Sequence, residues 1–319
     1  MPPTANKALD GHKLLVLLGV TGPPKILLGT IFQPEWIAEL KELFSGLEIV
    51  TVEGCIWNTP AFDQKFPEEE WKTLRSLLLE VLYLRHILLL NWIPQYIDFQ
   101  RQKTWHKLDD PVHDAAGQRV GILGYGAVGR QIARVLKALG MDIYACNLHL
   151  RATPESRKDE TYTPAGLGDP EGIFPSKWFS AENTEGLHEF LSSGLDLLVI
   201  TIPLTERTRG IISRTELALL ARRKTFVSNI GRGEVITTDD LIHALENGII
   251  RGAALDVTDP EPLPDGHPLW SAKNLFISPH VSGNSSTYAR RVSEVLKYNL
   301  VRMSEGKELT NKVDRSKGY

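Results

Sequence analysis

Cysteine is almost missing from this chain: Cys55 and Cys146 are the only two in 319 residues. They lie far apart and form no C-x-x-C, so neither a disulfide framework nor a zinc site is expected, and a reducing, cytoplasmic setting fits. Both read as core thiols. Blocks of like charge are missing too; the net charge is -3 and charged residues make up 24%. A nucleic-acid or anionic-membrane partner therefore has no electrostatic footprint here. Long apolar runs are scarce. Leu14 to Val20 is too short to span a bilayer, and the leucine-rich stretch Leu74 to Leu90 is interrupted by Arg75, Glu80, Arg85 and His86, which are costly in lipid. A buried or half-buried helix is the better reading of that stretch. Neither G-x-S-x-G nor G-x-x-x-x-G-K occurs, which removes the hydrolase elbow and the nucleoside-triphosphate loop. His12, His86, His106, His113, His149, His188, His243 and His267 show no metal-ligand spacing, so no metal is expected.

What the chain does have is a glycine loop in the right setting. Gly124-Tyr125-Gly126-Ala127-Val128-Gly129 follows the apolar run Val120-Gly121-Ile122-Leu123 and opens an amphipathic stretch. Such a loop turns tightly at its first glycine, brings backbone N-H groups to a pyrophosphate at its second, and packs helix on strand at its third. Val128, Ile132, Val135, Leu136 and Leu139 form one stripe for a sheet, and Gly140 closes the helix. Further strand-like runs follow at Ile143 to Cys146, Leu197 to Ile202, Thr225 to Asn229, Gly252 to Val257 and Leu275 to Ser278. Runs that are apolar on both faces and alternate with helices imply a parallel sheet of the doubly wound, Rossmann kind. Thr153 to Ser180 breaks the pattern with four prolines and three glycines, and reads as a long solvated excursion.

The expected division is a discontinuous α/β lobe, 1–100 plus 286–319, and a dinucleotide-binding domain, 101–285. The first lobe carries strand-like runs at Leu14 to Val20 and Leu47 to Val52 and a helical pattern at Pro34 to Phe44. Tyr288 to Met303 reads as a helix with Val292, Val295, Leu296, Asn299 and Leu300 on one side.

Three blocks behind the glycine loop carry a specific resemblance: Asn229-Ile230-Gly231-Arg232-Gly233, then Gly252 to Val257 with Glu261-Pro262-Leu263-Pro264, then Ser278-Pro279-His280-Val281-Ser282-Gly283. In this order they resemble the D-isomer-specific 2-hydroxyacid dehydrogenases, over roughly residues 92 to 303. The resemblance implies a flavodoxin-like substrate lobe beside the Rossmann domain, an active site of Arg232, Glu261 and His280, and pairing as a homodimer. It also implies that Gly124, Gly126, Ala127, Val128 and Gly129 hold the cofactor, that Pro203 and Thr208 line its adenosine side, and that Ile230 and Gly231 line the nicotinamide ribose. Asp256 would face the carboxamide or serve as a strand-end cap.

The chemistry of these residue types agrees. Reducing a 2-keto acid builds charge on the carbonyl oxygen, so an acid must supply a proton there; a neutral imidazole serves the reverse reaction. Glu261 beside His280 would favour the imidazolium. The fork-shaped, permanently charged Arg232 suits a carboxylate and a developing oxyanion. Taken singly, a His after proline, an Arg between glycines and a Glu-Pro turn each have an ordinary structural reading; together they point to one site.

The second strand of such a fold ends in an acid where NAD is preferred. Asn147 stands there instead. A carboxylate about 4 Å from a 2'-phosphate costs on the order of 4 kcal/mol at intermediate dielectric, so Asn147 removes a barrier that Arg151 and His149 could turn into attraction. NADP is expected over NAD. The expected substrate is a small 2-keto or D-2-hydroxy acid such as glyoxylate or hydroxypyruvate. One block of the resemblance is not found: between Gly54 and Gly117 there is no glycine, where a glycine loop of the first lobe would hold the substrate carboxylate. The lobe reads as shortened, and the alternative expectation is a cofactor-binding regulator or inactive homologue with little turnover.

Overall fold

The computed structural model describes residues 93–109, 114–283, 285 and 287–310, together with 13–18, 38–39, 42–43 and 48–53. By compactness the chain forms two units, Met1–Leu78 with Asn284–Val313, and Leu79–Gly283 with Asp314–Tyr319. In the first unit β1 (Lys13–Leu18) and β2 (Glu48–Glu53) pair in parallel, Lys13 opposite Glu48 and Leu18 opposite Glu53. The C-terminal helix, Tyr288–Ser304, buries Val292, Val295 and Leu300, and its Lys297 Nζ pairs with Glu39. Of the helix expected at Pro34 to Phe44, residues 38–39 and 42–43 are described, and they are helical. Residues 54–92, which hold Cys55, the Leu74 to Leu90 stretch and the first part of the glycine-free span, fall outside the described residues.

Among the described residues the second unit begins with α1 (Ile93–Arg101) and is built on seven parallel strands. They are β3 (Arg119–Leu123), β4 (Asp142–Asn147), β5 (Pro175–Ser180), β6 (Leu197–Ile200), β7 (Phe226–Asn229), β8 (Gly252–Leu255) and β9 (Leu275–Ile277). Their order across the sheet is β5-β4-β3-β6-β7-β8-β9. Every residue of β6, β7 and β8 is buried, because helices cover both faces. Side chains alternate between those faces. Val120, Ile122, Ala145 and Val199 pack with Ile132 and Leu136 on one side; Leu123, Cys146, Leu198, Ile200 and Val227 pack with Phe190 and Leu217 on the other. Each such Leu or Ile stabilises the fold by about 1.5–3 kcal/mol. Burial pushes the Cys146 thiol up to about 12, as a core thiol should behave.

The helix after β3, α2 (Ala127–Ala138), buries Gly129, Arg130, Ile132, Ala133 and Leu136. Leu139 departs from the expected stripe: it is the C-cap and 37% exposed. Gly129 is required by closeness, since a Cβ there would lie 2.4 Å from the Gly124 carbonyl oxygen. Gly124 itself has φ +102°, a conformation that other residues rarely adopt.

The segment expected to be a solvated excursion is not one. Its last six residues form β5, the edge strand on β4, with Ala145 opposite Trp178 and Asn147 opposite Ser180. Pro175 is its first residue, where a missing N-H costs no ladder bond, and Ser176 and Lys177 face solvent while Pro175 and Phe179 are buried. Earlier residues form the short helix α3 (Pro154–Arg157), capped reciprocally by Thr153 and Ser156. Asp169 is 2% exposed. Proline and glycine density concealed an edge strand and a buried carboxylate.

On the other flank of the sheet α4 (Thr184–Leu191) meets α5 (Arg214–Leu219). His188 Nε2 is 2.8 Å from Glu216 Oε1, and Glu216 Oε2 also accepts from the Ser213 main chain at 3.0 Å. Burial alone would raise the Glu216 pKa; hydrogen bonds from Ser213 and His188 outweigh it and leave the carboxyl below its ordinary 4.5. A lowered folded-state pKa contributes stability above the unfolded value, and that stability is lost as pH falls through the folded one. Thermal melts between about pH 6 and pH 3 will therefore fall more steeply for the native chain than for Glu216→Gln. Gly129→Ala will lower stability by about 1–3 kcal/mol through overpacking, read as a lower midpoint in chemical denaturation.

Candidate active site

Parallel pairing brings the loops after β3, β4, β6, β7, β8 and β9 to the same carboxyl edge of the sheet. Its strand order reverses between β3 and β6, which is where open α/β sheets accept ligands. The glycine loop lies at that reversal. Gly124 N-H donates to the Cys146 carbonyl at 2.8 Å, and Tyr125 N-H donates to Asn147 Oδ1 at 2.6 Å. A Cβ at Gly126, the N-cap of α2, would meet nothing within 4 Å. The turn therefore presents an open helix N-terminus at Ala127 and Val128, the arrangement that receives a pyrophosphate. Asn147 Nδ2 is buried with no hydrogen-bond partner among the described residues. A donor left in that state suits an acceptor on a bound ribose.

The loop after β6 is braced by Thr208, whose hydroxyl donates to the Pro203 carbonyl at 2.7 Å and accepts from Thr205 N-H at 2.8 Å. After β7, Asn229 holds the turn: its Oδ1 accepts from Gly231 N-H at 3.0 Å and its Nδ2 donates to the Arg232 carbonyl at 2.8 Å. Ile230 is buried, and its N-H bonds the Ile200 carbonyl at 3.1 Å. A Cβ on Gly231 would lie 2.6 Å from Ile202 O. Arg232 Nη1 donates to the Gly231 carbonyl at 2.5 Å. A Cβ on Gly233 would lie 1.9 Å from the Thr258 carbonyl oxygen, so the Arg232 loop rests directly on the loop that carries Glu261.

His280 Nδ1 is 2.6 Å from Glu261 Oε1, with the two side chains 45% and 38% exposed. The imidazole thus has one nitrogen on a carboxylate and the other without a protein partner among the described residues. Its backbone is left-handed, φ +51°, at a cost on the order of 1–3 kcal/mol. Asp256 explains how that conformation is kept. The Asp256 carbonyl accepts His280 N-H at 2.8 Å, and its 1%-exposed carboxylate accepts from Ser278 Oγ at 2.5 Å, Val281 N-H at 3.1 Å and Ser282 N-H at 2.9 Å. These bonds tie the Asp256 carboxylate to the loop that carries His280.

Arg232, Glu261 and His280 therefore arise on consecutive sheet neighbours β7, β8 and β9, with Glu261 and His280 in contact. Arg151 and His149 are placed less directly. Arg151 Nη1 donates to the Ser156 carbonyl at 2.7 Å, and His149 Nδ1 is 3.6 Å from Glu182. The sequence reading assigned no role to Asn229; it ends β7 two residues before Gly231, and that strand-end position was the available signal. Among the described residues no group of three or more His, Cys, Asp or Glu could hold a metal ion. No helix there is long and apolar enough to cross a membrane.

Known proteins share this fold and family. The family model for the D-isomer specific 2-hydroxyacid dehydrogenase NAD binding domain matches residues 86–168 and 177–282. A glyoxylate reductase of Aeropyrum pernix is 31% identical over 262 residues, 82% of this chain and 69% of that protein. Glyoxylate/hydroxypyruvate reductase A of Klebsiella pneumoniae strain 342 is 32% identical over 236 residues, 72% of this chain and 66% of its own length. An uncharacterized Corynebacterium melassecola protein is 33% identical over 222 residues, 70% of this chain and 62% of its own length. The matched regions thus span about two thirds of these relatives. Among solved structures, a D-isomer specific 2-hydroxyacid dehydrogenase of Xanthobacter autotrophicus Py2, in complex with NADPH and MES, is similar with TM-score 0.54 and 29% identity, covering 76% of this chain and 93% of that one. A glycine loop at the strand-order reversal, a carboxylate-bound imidazole four strands along the same edge, and a family model covering both leave one assignment: the chain belongs to the D-isomer specific 2-hydroxyacid dehydrogenases.

Proposed function

We propose that this protein is an NADP-preferring oxidoreductase that moves a hydride between its cofactor and a small 2-keto or D-2-hydroxy acid, glyoxylate and hydroxypyruvate foremost. The observation that carries it is the 2.6 Å contact between His280 and Glu261 on the same sheet edge as the glycine loop. The names of the Aeropyrum and Klebsiella relatives support the substrates, and the NADPH of the Xanthobacter structure supports the cofactor.

The cofactor fits the open turn at Gly126 and the unpartnered Asn147 Nδ2; when bound, its nicotinamide supplies the hydride that adds to the carbonyl carbon. Glu261 accepts from Nδ1-H of His280 and aims the ring; in the reductive direction the Nε2 proton of the imidazolium goes to the carbonyl oxygen as that oxygen gains charge. In the oxidative direction the same nitrogen receives the hydroxyl proton. Arg232 pairs with the substrate carboxylate and stabilises the developing oxyanion. Asn229 and Asp256 touch no reacting atom; they hold the Arg232 and His280 loops in place. Arg151 and His149 offer positive charge to a 2'-phosphate that Asn147 does not repel.

A cytoplasmic homodimer belongs to the same proposal, supported by the two-cysteine composition and by the pairing habit of the family. So does division into a substrate lobe, 1–100 plus 286–319, and a cofactor domain, 101–285. One observation favours a second reading: the glycine-free span from residue 55 to 116 lacks a recognisable carboxylate loop, which fits a cofactor-binding protein with little turnover.

Loss of NADPH absorbance on adding glyoxylate or hydroxypyruvate separates the two. The enzyme reading requires turnover that His280→Ala lowers about 10²–10⁴-fold with NADPH binding kept; NADPH binding without turnover by the native chain would establish the other. For the cofactor, KM should be lower for NADPH than for NADH. Arg151→Ala should raise only the NADPH value, about tenfold or more, and an NADH preference that persists in Arg151→Ala would end the NADP assignment.

A further inference from the structure

The segment between β4 and β5 is fastened to the cofactor helix by a buried polar cluster that folding alone does not call for. Tyr125, Arg130 and Asp169 are 1%, 2% and 2% exposed. The Tyr125 hydroxyl donates to Asp169 Oδ2 at 2.7 Å, and the same carboxylate accepts from Ile173 N-H at 3.0 Å and Phe174 N-H at 3.1 Å. Arg130 lies with its guanidinium carbon 5.1 Å from the Tyr125 ring centroid. It donates to the Asp169 carbonyl, donates to the Arg157 carbonyl at 2.6 Å, and is 3.3 Å from Asp159. Further along α2, Gln131, the next residue, accepts from Gly168 N-H and Arg134, one turn on, donates to the Gly168 carbonyl, both at 2.7 Å. Burying two charges and a phenol is expensive unless every partner is supplied. A solvated connection between β4 and β5 would avoid that cost.

The bonds leaving this cluster run to one place. Arg157, held by Arg130, donates through Nε to the Arg151 carbonyl at 3.0 Å and through Nη2 to the Ala152 carbonyl at 3.1 Å. The main chain of Tyr125 holds Asn147. Both residues assigned to the ribose end of the cofactor are therefore tied to the same buried cluster, Asn147 through the Tyr125 main chain and Arg151 through Arg130 and Arg157. We infer that the Tyr125–Arg130–Asp169 cluster is a positioning device for cofactor choice, fixing where Arg151 stands relative to the 2'-substituent of the adenosine ribose. The inference rests on the NADP reading and adds residues that never touch the phosphate. Asp169 acts through Arg130, Arg157 and Arg151 in turn. Loosening it leaves the pyrophosphate turn at Gly124 to Gly129 in place, so the two cofactors respond unequally.

The test measures dissociation constants of NADPH and NADH by cofactor fluorescence on the full chain, so it needs no turnover. In Asp169→Ala the ratio of NADH to NADPH constants should fall about five- to tenfold, with the NADH value within about twofold of native. Arg134→Ala, which removes a half-buried anchor to Gly168 and leaves the core charges alone, should shift the ratio in the same direction and serves if Asp169→Ala fails to fold. Adding Arg151→Ala to either variant should lower the ratio little further, because both act through Arg151. An unchanged ratio in a folded Asp169→Ala or Arg134→Ala protein, while Arg151→Ala alone removes the preference, would overturn the inference and leave the NADP reading standing. Equal NADPH and NADH affinity in the native chain, insensitive to Arg151→Ala, would overturn both.

Discussion

Parallel pairing is the constraint from which the rest follows. A strand that must run beside its predecessor in the same direction needs a crossover, so every turn leaving the sheet emerges at one edge. Seven strands give a row of loops in register, and the apolar runs that build them are buried on both faces because the crossovers bring helices to both. The chemistry is then a matter of which polar residue occupies the first few positions past each strand. Arg232, Asp256 and His280 do so, Asn147 ends its own strand, and Gly124 stands first past β3.

Polar atoms at that edge are mostly committed to one another. Asn229 closes its turn with both ends of its amide, Thr208 closes another with its hydroxyl, and Asp256 takes three donors from the His280 loop. Such bonds are worth about 0.5–3 kcal/mol each, enough together to hold a loop in one shape. The exceptions carry the functional argument: a buried amide nitrogen on Asn147 without a partner, and an imidazole anchored through one nitrogen.

Local physics made part of this readable from residues alone. Gly124 and Gly129 are imposed by a positive φ and by a helix lying against a carbonyl, both set within six residues. The strands β3, β4 and β6 to β9 were visible as apolar runs, and their ends differed by only a few residues from those observed. What escaped depends on distant partners. Arg130 reads as a surface charge on an amphipathic helix until Asp169, 39 residues later, supplies its acceptor. β5 opens with proline and has no regular alternation, Ser176 and Lys177 both being exposed, so its membership in the sheet rests on β4 rather than on its own composition. Asp256 was legible as a strand-end residue, and the direction of its carboxylate was not, because three donors from the following loop decide it. The N-terminal span that most departs from the family pattern lies outside the described residues.

The left-handed turn at His280 carries a wider consequence. Because the main chain there is bent into a shape that few side chains tolerate, the aim of the imidazole is inherited from the loop and not chosen by its own rotamer alone. Asparagine or glycine could occupy that corner with little distress, whereas a branched residue such as valine would unbend it. Drift at this codon is thus filtered twice, once by proton chemistry and once by geometry, and a descendant that abandoned catalysis would still be steered toward a short list of replacements.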